Sequence, residues 1–417
     1  MRVLLAPLGS RGDVQPMVAL GRGLRAAGHE PVFCVTKDFS ALMEQEKFVF
    51  HVVDVDAQKL AQSTGSKVYN PFVFSALIRD LLERTGVATL KAMEGADVVV
   101  GGGAQVLAPS LCEKHGIPYL FAAYSPPMLR SRIHPPITMP WARGSARLNA
   151  VLWAINAMLA NGMLRRTVNG LRRKMGLPRV RDIWSMITHP SLVLGVFDAQ
   201  LAAPPSDVGE GLKTTGFWFL EDETPLSPEV EAFLGAGSTP FYIGFGSMPH
   251  DDPKALGQRV MDAVRAAGVR AVIGSGWAEL GRHGPVPPEC LVVNNINHGA
   301  LFPRMAGVVH HGGAGTTSTA ARAGVPQLVV PHLMDQFYWG HRVSHLGVGP
   351  APVPARRLNA TNLAAALTAM GTQASYRAAA QQLATSLRGA PGVKHAVDVI
   401  EAAAKRPAVT GPATPPR

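Results

Sequence analysis

Short apolar, β-branched runs alternate along the chain with longer helical stretches rich in Ala, Leu and Arg. The first unit predicts a strand at residues 3–5, a glycine-containing loop, a helix over 16–27 that ends at Gly28, and a strand over 31–35. Repeated strand–helix units are typical of parallel sheets covered by helices. The pattern therefore predicts an α/β fold built from doubly wound sheets.

Two strand series are separated by an acidic, proline-containing stretch at residues 221–228, which we interpret as a linker. Further strands are predicted at 48–53, 97–100, 119–122 and 191–196, and then at 241–245, 271–274, 291–293, 307–310 and 327–330. We expect an N-terminal domain over residues 1–219, a C-terminal domain over 220–392, a C-terminal helix over 393–405 that packs back on the N-terminal domain, and a disordered tail over 406–417.

Composition excludes a disordered chain, because 47% of residues are hydrophobic and 17% are charged. Forty basic against 29 acidic residues give a net charge of +11, which favours anionic partners without choosing among them. Cys34, Cys112 and Cys290 lie far apart and form no C-x-x-C pair. A disulfide framework and a cysteine-based zinc site are therefore not expected, and a reducing cytoplasm fits best.

A glycine-rich segment, HHGGAGTTST at residues 310–319, begins where a strand is predicted to end and opens a helix. Its glycines let backbone approach a ligand, and the N-terminus of a helix attracts anions, so a diphosphate is one expected occupant. His311 is expected to add a hydrogen bond, and the Thr and Ser hydroxyls suit capping of the helix N–H groups. The alternative is an ordinary tight turn between strand and helix.

Two further loops are predicted at the same edge of the second sheet. Asp335 and Gln336 follow the last strand, where an adjacent carboxylate and amide suit the vicinal hydroxyls of a sugar. Residues 244–248 close the first strand of the second series, where backbone donors and the Ser247 hydroxyl suit a distal phosphate. Either loop alone is also common as a solvated turn.

Four segments together carry a family resemblance: GSRGDVQP at residues 9–16, Gly246-Ser247-Met248, HHGGAGTT at 310–317, and Asp335-Gln336. In these the chain resembles the nucleotide-sugar-dependent glycosyltransferases of the GT-B fold, in particular the branch of sterol glucosyltransferases and glycopeptide- and macrolide-antibiotic glycosyltransferases. The resemblance spans nearly the whole chain. It implies two Rossmann-like domains facing each other across a cleft, with the acceptor on the first domain and the donor nucleotide on the second.

The resemblance also implies a role for each matching residue. By that resemblance Ser247, His311, Gly313, Gly315 and Thr316 would hold the diphosphate of a UDP-sugar or dTDP-sugar co-substrate, Asp335 and Gln336 the sugar, Asn297 and His298 the base, and Asp13 would be the catalytic base. Ser10, Phe72, Phe74, Tyr124, Met128 and Trp141 are candidates for an apolar acceptor pocket, although such residues are more often plain core.

Asp13 fits the chemistry of an inverting transfer, because the acceptor hydroxyl must lose a proton as it attacks the anomeric carbon. A free aspartate is a weak base at neutral pH unless burial raises its pKa. The position also suits an N-cap for the helix expected near Pro16. Backbone N–H groups, the helix dipole and His311 would take up the charge of the leaving diphosphate, so no metal is expected. No cofactor is expected beyond the nucleotide-sugar.

Metal sites have two weaker candidates in the sequence. Asp54-Val55-Asp56 spells the D-x-D of metal-dependent glycosyltransferases, but no second acidic cluster supports it, and a surface loop is the better interpretation. Six histidines lie between residues 298 and 345: His298, His310, His311, His332, His341 and His345. Their spacings do not match H-E-x-x-H, so zinc is not expected.

A membrane surface is a further candidate partner. The most apolar uncharged run, residues 148–164, contains Asn149, Asn156 and Asn161 and falls short of a membrane span. Residues 165–181 then hold seven basic and no acidic side chains. An apolar helix beside a basic cluster favours peripheral contact with the anionic inner face of a membrane. The alternative is a core helix followed by a solvated one.

Other functions remain as alternatives at the level of sequence. An NAD-dependent Rossmann oxidoreductase is disfavoured, because Gly101-Gly102-Gly103 lacks the G-x-G-x-x-G spacing. A nucleotide-sugar epimerase would not need the acceptor-side loop, and a P-loop ATPase would need a Walker A motif, which the sequence lacks. A non-catalytic nucleotide- or lipid-binding protein would tolerate loss of the Asp13 carboxylate. No nucleic-acid partner is expected.

Overall fold

The computed structural model describes residues 1–55, 71–139, 145–188, 192–246, 248, 252–276, 286–390 and 392–405, with the backbone alone for 71–78. Its strands are β1 (Arg2–Leu8), β2 (Glu30–Thr36), β3 (Val49–Val53), β4 (Val98–Gly103), β5 (Tyr119–Ala123), β6 (Leu192–Gly195), β7 (Leu212–Thr214), β8 (Phe241–Gly244), β9 (Ala271–Gly274), β10 (Cys290–Val293), β11 (Val308–His310) and β12 (Gln327–Val329). They form two parallel sheets, as the strand–helix alternation predicts.

Helices fill most of the connections between these strands. In chain order they are α1 (Arg11–Ala26), α2 (Ser40–Gln45), α3 (Pro71–Ala92), α4 (Ala108–His115), α5 (Ala146–Lys174), α6 (Ile183–Thr188), α7 (Pro228–Gly235), α8 (Pro253–Ala267), α9 (His298–Leu301), α10 (Ala314–Ala323), α11 (Gln336–His345), α12 (Ala360–Thr372), α13 (Ala374–Leu387) and α14 (Gly392–Ala404). Among the described residues, no helix is both long and apolar enough to cross a bilayer.

The order of the strands places one switch point in each sheet. The first sheet runs β3-β2-β1-β4-β5-β6-β7, and the second runs β10-β9-β8-β11-β12. In both, the first three strands are added towards one edge and the fourth is added on the other side of the first, so the switch points lie between β1 and β4 and between β8 and β11. Ligands of open parallel sheets bind outside the carboxyl ends of the strands at such points.

Side chains of the central strands point alternately to the two faces of the first sheet, and a hydrophobic core lies on each face. Val3 and Leu5 of β1 belong to the cluster under α1, whereas Leu4 and Ala6 belong to the cluster on the opposite face. Because successive side chains of a strand point to opposite faces, a strand buried on both faces is a continuous apolar run. This arrangement fixes β1 at the centre of its sheet and so fixes the loop that follows it.

The two sheet units contact each other directly. Phe197 and Leu201, which follow β6, share a buried cluster with Trp339 and Val343 of α11. Arg342 donates from Nε to the carbonyl of Leu201 at 3.0 Å. Helix α1 also packs against α10 of the second unit. The carboxyl edges of the two sheets therefore border a shared cleft.

The C-terminal helix α14 lies against α1 of the first sheet. Ala396, Val397 and Ile400 join the core cluster under that sheet, and His29 Nε2 lies 2.8 Å from Glu401 Oε1. The domain boundaries at residues 219, 392 and 405 stay predictions. The tail at 406–417 lies outside the described residues.

Several sequence predictions of local structure need correction. Helix α1 begins at Arg11 rather than near Pro16, because Ser10 caps it and Pro16 lies inside the helix. Strand β7 has only three residues and no apolar alternation, so the sequence pattern gave no signal for it. Helix α5 continues well beyond the apolar run at 148–164 and reaches Lys174.

Candidate active site

The loop after β1 presents Asp13 at the switch point of the first sheet. Ser10 is the N-cap of α1 and Asp13 is its N3 residue, and the two form a reciprocal capping box. The backbone N–H of Ser10 donates to Asp13 Oδ2 at 2.8 Å. The alternative that Asp13 is the N-cap is therefore wrong, because Ser10 fills that position. The capping box fixes the carboxylate at the first turn of the helix.

Neighbouring backbone and a buried tyrosine surround this carboxylate. A Cβ at Gly103, at the end of β4, would lie 3.1 Å from Asp13 Oδ1, and one at Gly9 would overlap Oδ2. Tyr124 is 5% exposed, and its hydroxyl donates to the carbonyl of Asp13 at 2.9 Å. Tyr124 thus positions the Asp13 backbone, and its role in an acceptor pocket stays a prediction.

Burial raises the pKa of Asp13 to about 6, against the opposing effect of the hydrogen bonds from Ser10. Removing water from around a carboxylate disfavours its charged form. Such a carboxylate is a better proton acceptor than a solvated one and is still mostly ionised at pH 7. A base at this position needs a pKa above that of free aspartate, and burial of the Asp13 carboxyl group is the physical cause of the rise.

Asp335, immediately before α11, faces Asp13 from the second sheet unit. Burial, with a smaller contribution from the negative charge of Asp13, raises the pKa of Asp335 to about 6, and the side chains of Trp339 and Ser125 oppose this rise. Trp339 Nε1 donates to Asp335 Oδ2 at 3.2 Å. Ser125 follows β5, so Asp335 is in reach of groups from two loops of the first sheet. The cleft therefore holds one carboxylate from each unit.

Gln336 stabilises the loop that carries Asp335. Its Oε1 accepts hydrogen bonds from the backbone N–H groups of His332 at 2.8 Å and Leu333 at 3.1 Å, and its Nε2 contacts Met248 Sδ at 3.2 Å. Met334 in the same loop has a φ of +53°, which a non-glycine residue rarely adopts. The amide of Gln336 thus holds a strained turn, and its contact with a sugar stays a prediction.

The N-terminus of α10 lies at the switch point of the second sheet. Its N-cap is Gly313, which has no side chain to accept the first N–H groups of the helix. The hydroxyls of Thr317 and Thr319 donate backwards to the carbonyls of Gly313 and Gly315 at 2.9 and 2.8 Å. The expectation that these hydroxyls cap the N–H groups is therefore wrong. The positive end of the helix dipole keeps donors for an anion.

His311 is fitted between two glycines at this helix N-terminus. A Cβ at Gly313 would lie 2.5 Å from its Nε2, and one at Gly246 would lie 3.1 Å from its Cε1. In the described part of the chain, its buried Nδ1 has no hydrogen-bond partner. Burial lowers the pKa of His311 to about 3, with neighbouring histidines adding to the effect. The imidazole is therefore neutral and retains one donor and one acceptor nitrogen.

Two residues predicted to contact a base have structural partners. Asn297 caps α9 through Ala300 N–H, and its side-chain amide donates to the carbonyls of Asp222 and Thr224 in the linker. His298 stacks on Phe302 and lies 3.1 Å from the Tyr242 hydroxyl. Asn297 therefore holds the linker and His298 packs beside β8, and the contact of either residue with a base stays a prediction.

Several other candidate site residues lie outside the residues that the structure describes, or close to that boundary. Ser247 and Trp141 lie outside the described residues, as do the side chains of Phe72 and Phe74 in α3. Met128 lies beside Tyr124, whose backbone N–H is 3.3 Å from its sulfur. Thr316 and Gly315 lie in the first turn of α10.

A metal site finds no support in the described residues. Asp54 has a side chain that is 86% exposed and lies 3.6 Å from Arg84, and Asp56 lies outside the description. No group of three or more metal-ligating side chains occurs where the structure is described.

The sequence interpretation missed two side chains that contact or neighbour Asp335. Ser125 follows the buried strand β5, so its place after a strand at the carboxyl edge was the available signal. Trp339 lies four residues beyond Asp335, one helical turn along α11. Both were indistinguishable from core residues until the sheets were placed together.

Two family models match the chain in tandem. Residues 3–133 match the glycosyltransferase family 28 N-terminal domain, and residues 258–402 match the erythromycin biosynthesis protein CIII-like C-terminal domain. The first match contains Asp13 and the second contains α10 and Asp335. The matched segments therefore include both sides of the cleft.

Curated relatives extend these matches over nearly the full chain. The chain is 36% identical to glycosyltransferase GtfE of Amycolatopsis orientalis, over 91% of this chain and 93% of the relative. It is 36% identical to vancomycin aglycone glucosyltransferase of the same organism, over 88% and 90%. It is 30% identical to sterol 3-beta-glucosyltransferase of Penicillium rubens, over 96% of this chain and 30% of that longer protein.

Solved structures share the fold. The glycotransferase of kitacinnamycin has a TM-score of 0.72 at 19% identity, with 96% of this chain and 98% of that one covered. Glycosyltransferase VinC, solved in complex with dTDP, has a TM-score of 0.70 at 22% identity, with 97% and 100% covered. The predicted two-domain GT-B architecture is confirmed, and the oxidoreductase alternative is set aside. The chain belongs to the family of GT-B glycosyltransferases that joins a family 28 N-terminal domain to an erythromycin CIII-like C-terminal domain.

Proposed function

We propose that this glycosyltransferase is an inverting enzyme that moves a hexose, glucose in the first instance, from a UDP-sugar to a hydroxyl of an apolar acceptor. A dTDP-sugar is the alternative donor, and a sterol, a lipid or a natural-product aglycone is the acceptor class. The observation that carries the proposal is the pairing of Asp13 from one sheet unit with Asp335 and the α10 N-terminus from the other.

Donor binding is assigned to the α10 side of the cleft. An anionic diphosphate meets the positive end of the α10 dipole and the N–H groups that Gly313 leaves uncapped. Neutral His311 adds one N–H donor without a charge that would have to be desolvated. These groups take up negative charge as the nucleoside diphosphate departs, which is the task that a divalent cation performs in metal-dependent transfer. We therefore propose that no metal is required.

The sugar is assigned to the Asp335 loop. A half-buried carboxylate accepts hydrogen bonds from vicinal hydroxyls, and those hydroxyls replace the water that Asp335 loses in the folded chain. Trp339 fixes the orientation of the carboxylate through its indole N–H. The strained turn at Met334, held by Gln336, sets the position of this loop against the α10 N-terminus.

Proton transfer is assigned to Asp13. The acceptor oxygen forms a bond to the anomeric carbon while the bond from that carbon to the diphosphate oxygen breaks, and Asp13 Oδ accepts the hydroxyl proton. The attacking and departing oxygens lie on opposite sides of the carbon, so the configuration inverts. The raised pKa of Asp13 matches a base that works near neutral pH.

The proposed acceptor class is supported by the names of the relatives and by the loop after β5 in the first sheet unit. The named relatives act on a vancomycin aglycone and on sterols, which are large molecules with exposed hydroxyls. Both kinds of acceptor need an extended apolar surface beside the base. Met128 and the loop after β5 border Asp13 through Tyr124, and this loop is where we place the acceptor.

The proposed reaction is tested by product analysis. Purified enzyme incubated with UDP-α-glucose or dTDP-α-glucose and a panel of sterol, flavonoid and glycopeptide aglycones should give a β-glucoside with one of them, identified by the anomeric proton coupling in NMR. EDTA should leave the rate unchanged. An α-linked product, or activity that EDTA abolishes and Mn²⁺ restores, would contradict the proposal.

Asp13→Asn should reduce kcat by roughly 10²–10⁴-fold, because the amide cannot accept the hydroxyl proton. In the parent enzyme, log kcat/KM should fall as pH drops below about 6, since protonation removes the base. The variant should lose the part of this limb that Asp13 causes, while protonation of Asp335 continues. It should bind UDP as the parent does. Asp398→Asn, on the exposed face of α14, is the matched control. Normal turnover in Asp13→Asn would remove Asp13 from the proton transfer.

Gly313→Ala should weaken UDP binding by roughly tenfold, measured by calorimetry, because the added methyl displaces the His311 imidazole. The backbone at residue 313 has φ −63° and ψ 143°, which alanine adopts without strain. Gly162→Ala in α5 is the control, since a Cβ there meets nothing within 4 Å.

The same substitution has a second readout in the His311→Ala background. There Gly313→Ala should have little further effect, because the imidazole that it displaces is gone. Equal UDP affinity in Gly313→Ala, His311→Ala and the parent would exclude the imidazole from the phosphate site.

A further inference from the structure

Helix α5 exposes a continuous apolar face along its N-terminal half. Six large apolar side chains on it are exposed, from 37% for Ile155 to 65% for Met158: Leu148, Val151, Ile155, Met158, Leu159 and Met163. At about 100° per residue these side chains fall within an arc of about 140° and form a stripe about 22 Å long. We call this stripe the outer face of α5. The alternative of a core helix is therefore wrong for this side of α5.

The inner face of α5 carries amide side chains among its buried apolar ones. Asn149 donates to the carbonyl of Arg132 at 2.9 Å, and Asn156 Oδ1 accepts from the Thr138 hydroxyl at 2.6 Å. Further along, Asn161 and Asn169 accept from the backbone N–H groups of Ile183 and Val180. Three of these asparagines bind backbone groups and Asn156 binds a hydroxyl, all of which need hydrogen-bonding side chains as partners. The inner face thus combines these amides with the buried side chains of Trp153 and Val168, whereas the apolar side chains of the outer face are exposed.

Positive charge continues along the same side of the helix. Residues 146–181 contain no Asp or Glu. Seven exposed basic residues occur there: Arg147, Arg165, Arg166, Arg173, Lys174, Arg179 and Arg181. By helical geometry Arg166 and Arg173 share the arc of the outer face, and Arg147 and Arg165 border it. The one buried basic residue, Arg172, is paired with Glu113.

We propose that the outer face of α5 docks on an anionic lipid surface. The apolar half enters the boundary between headgroups and acyl chains, and the basic half meets the lipid phosphates. The long Arg and Lys side chains reach the headgroups while their methylenes lie along the apolar boundary. This surface interaction goes beyond the proposed transfer reaction and does not depend on it.

A lipid surface fits this face better than a second copy of the chain. A symmetric dimer would set seven basic residues against the same seven, with no acidic residue in the segment to offset them. A lipid bilayer supplies an apolar layer directly beneath a layer of negative charge. The outer face of α5 presents exposed apolar side chains for the first of these layers and exposed basic side chains for the second.

Docking here would place lipid close to the proposed acceptor loop. The inner face of α5 holds residues 132 and 138 of the loop that crosses towards the second unit. In that loop the His134 ring makes an edge contact with Tyr338 of α11, with ring centroids 5.2 Å apart. The loop that α5 holds on its inner face therefore reaches the second unit.

Vesicle flotation tests the proposal with the full chain. Vesicles of phosphatidylglycerol and phosphatidylcholine should carry the parent protein upwards, and pure phosphatidylcholine vesicles should not. Leu159→Ser should lower the partition coefficient by roughly tenfold through lost apolar burial. The double variant Arg165→Gln/Arg166→Gln should lower it by roughly tenfold or more and reduce its salt dependence.

Matched controls come from the second sheet unit. Val286→Ser removes an apolar side chain of similar exposure, and Arg356→Gln/Arg357→Gln removes two exposed charges, so both should float as the parent does. Circular dichroism and transfer to a water-soluble acceptor should be unchanged in every variant, which separates this test from that of the transferase activity.

Three outcomes would overturn the proposal. One is a parent protein that does not float with anionic vesicles. Another is flotation that neither Leu159→Ser nor the double arginine variant reduces. The third is a concentration-dependent dimer in sedimentation that Leu159→Ser abolishes, because the outer face of α5 would then belong to a second copy of the chain.

Discussion

The structure depends on two half-buried carboxylates that face each other from different sheets. Asp13 follows β1 and Asp335 follows β12, and the charge of the first raises the pKa of the second. Neither sheet alone could hold such a pair, because each contributes only one of the two loops. The contact of α1 with α10 and the cluster of Phe197 and Leu201 with Trp339 bring the loops together. The proposed chemistry follows from that meeting.

Burial has opposite effects on the two kinds of titratable group around the cleft. It raises the pKa of the carboxyl groups of Asp13 and Asp335 and lowers that of the His311 imidazole. The base side of the cleft therefore gains proton affinity, while the α10 side stays neutral and rich in hydrogen-bond donors. A diphosphate that leaves towards α10 and a hydroxyl that gives its proton to Asp13 make use of this asymmetry.

The sequence predicted those features that depend on local periodicity and on motifs at strand ends. The two strand series, the loop after β1 and the glycine segment before α10 were all predicted, because each follows a buried apolar run. Side-chain roles set by contacts between distant segments were not. The hydrogen bond from Tyr124 to the Asp13 carbonyl was not predicted, nor was the inward position of Asn149 on α5, where it binds the backbone of Arg132. Such partners are 17 to 111 residues away in sequence, beyond the reach of any local pattern.

The central claim is that Asp13 and Asp335 share one cleft, and carboxyl-carbon NMR measures this directly. In the parent enzyme, both side chains should titrate near pH 6. In Asp335→Asn the apparent pKa of Asp13 should fall, since a neighbouring negative charge is lost, and Asp80→Asn on α3 should leave it unchanged. An Asp13 titration that is identical in the parent and in Asp335→Asn would contradict the account.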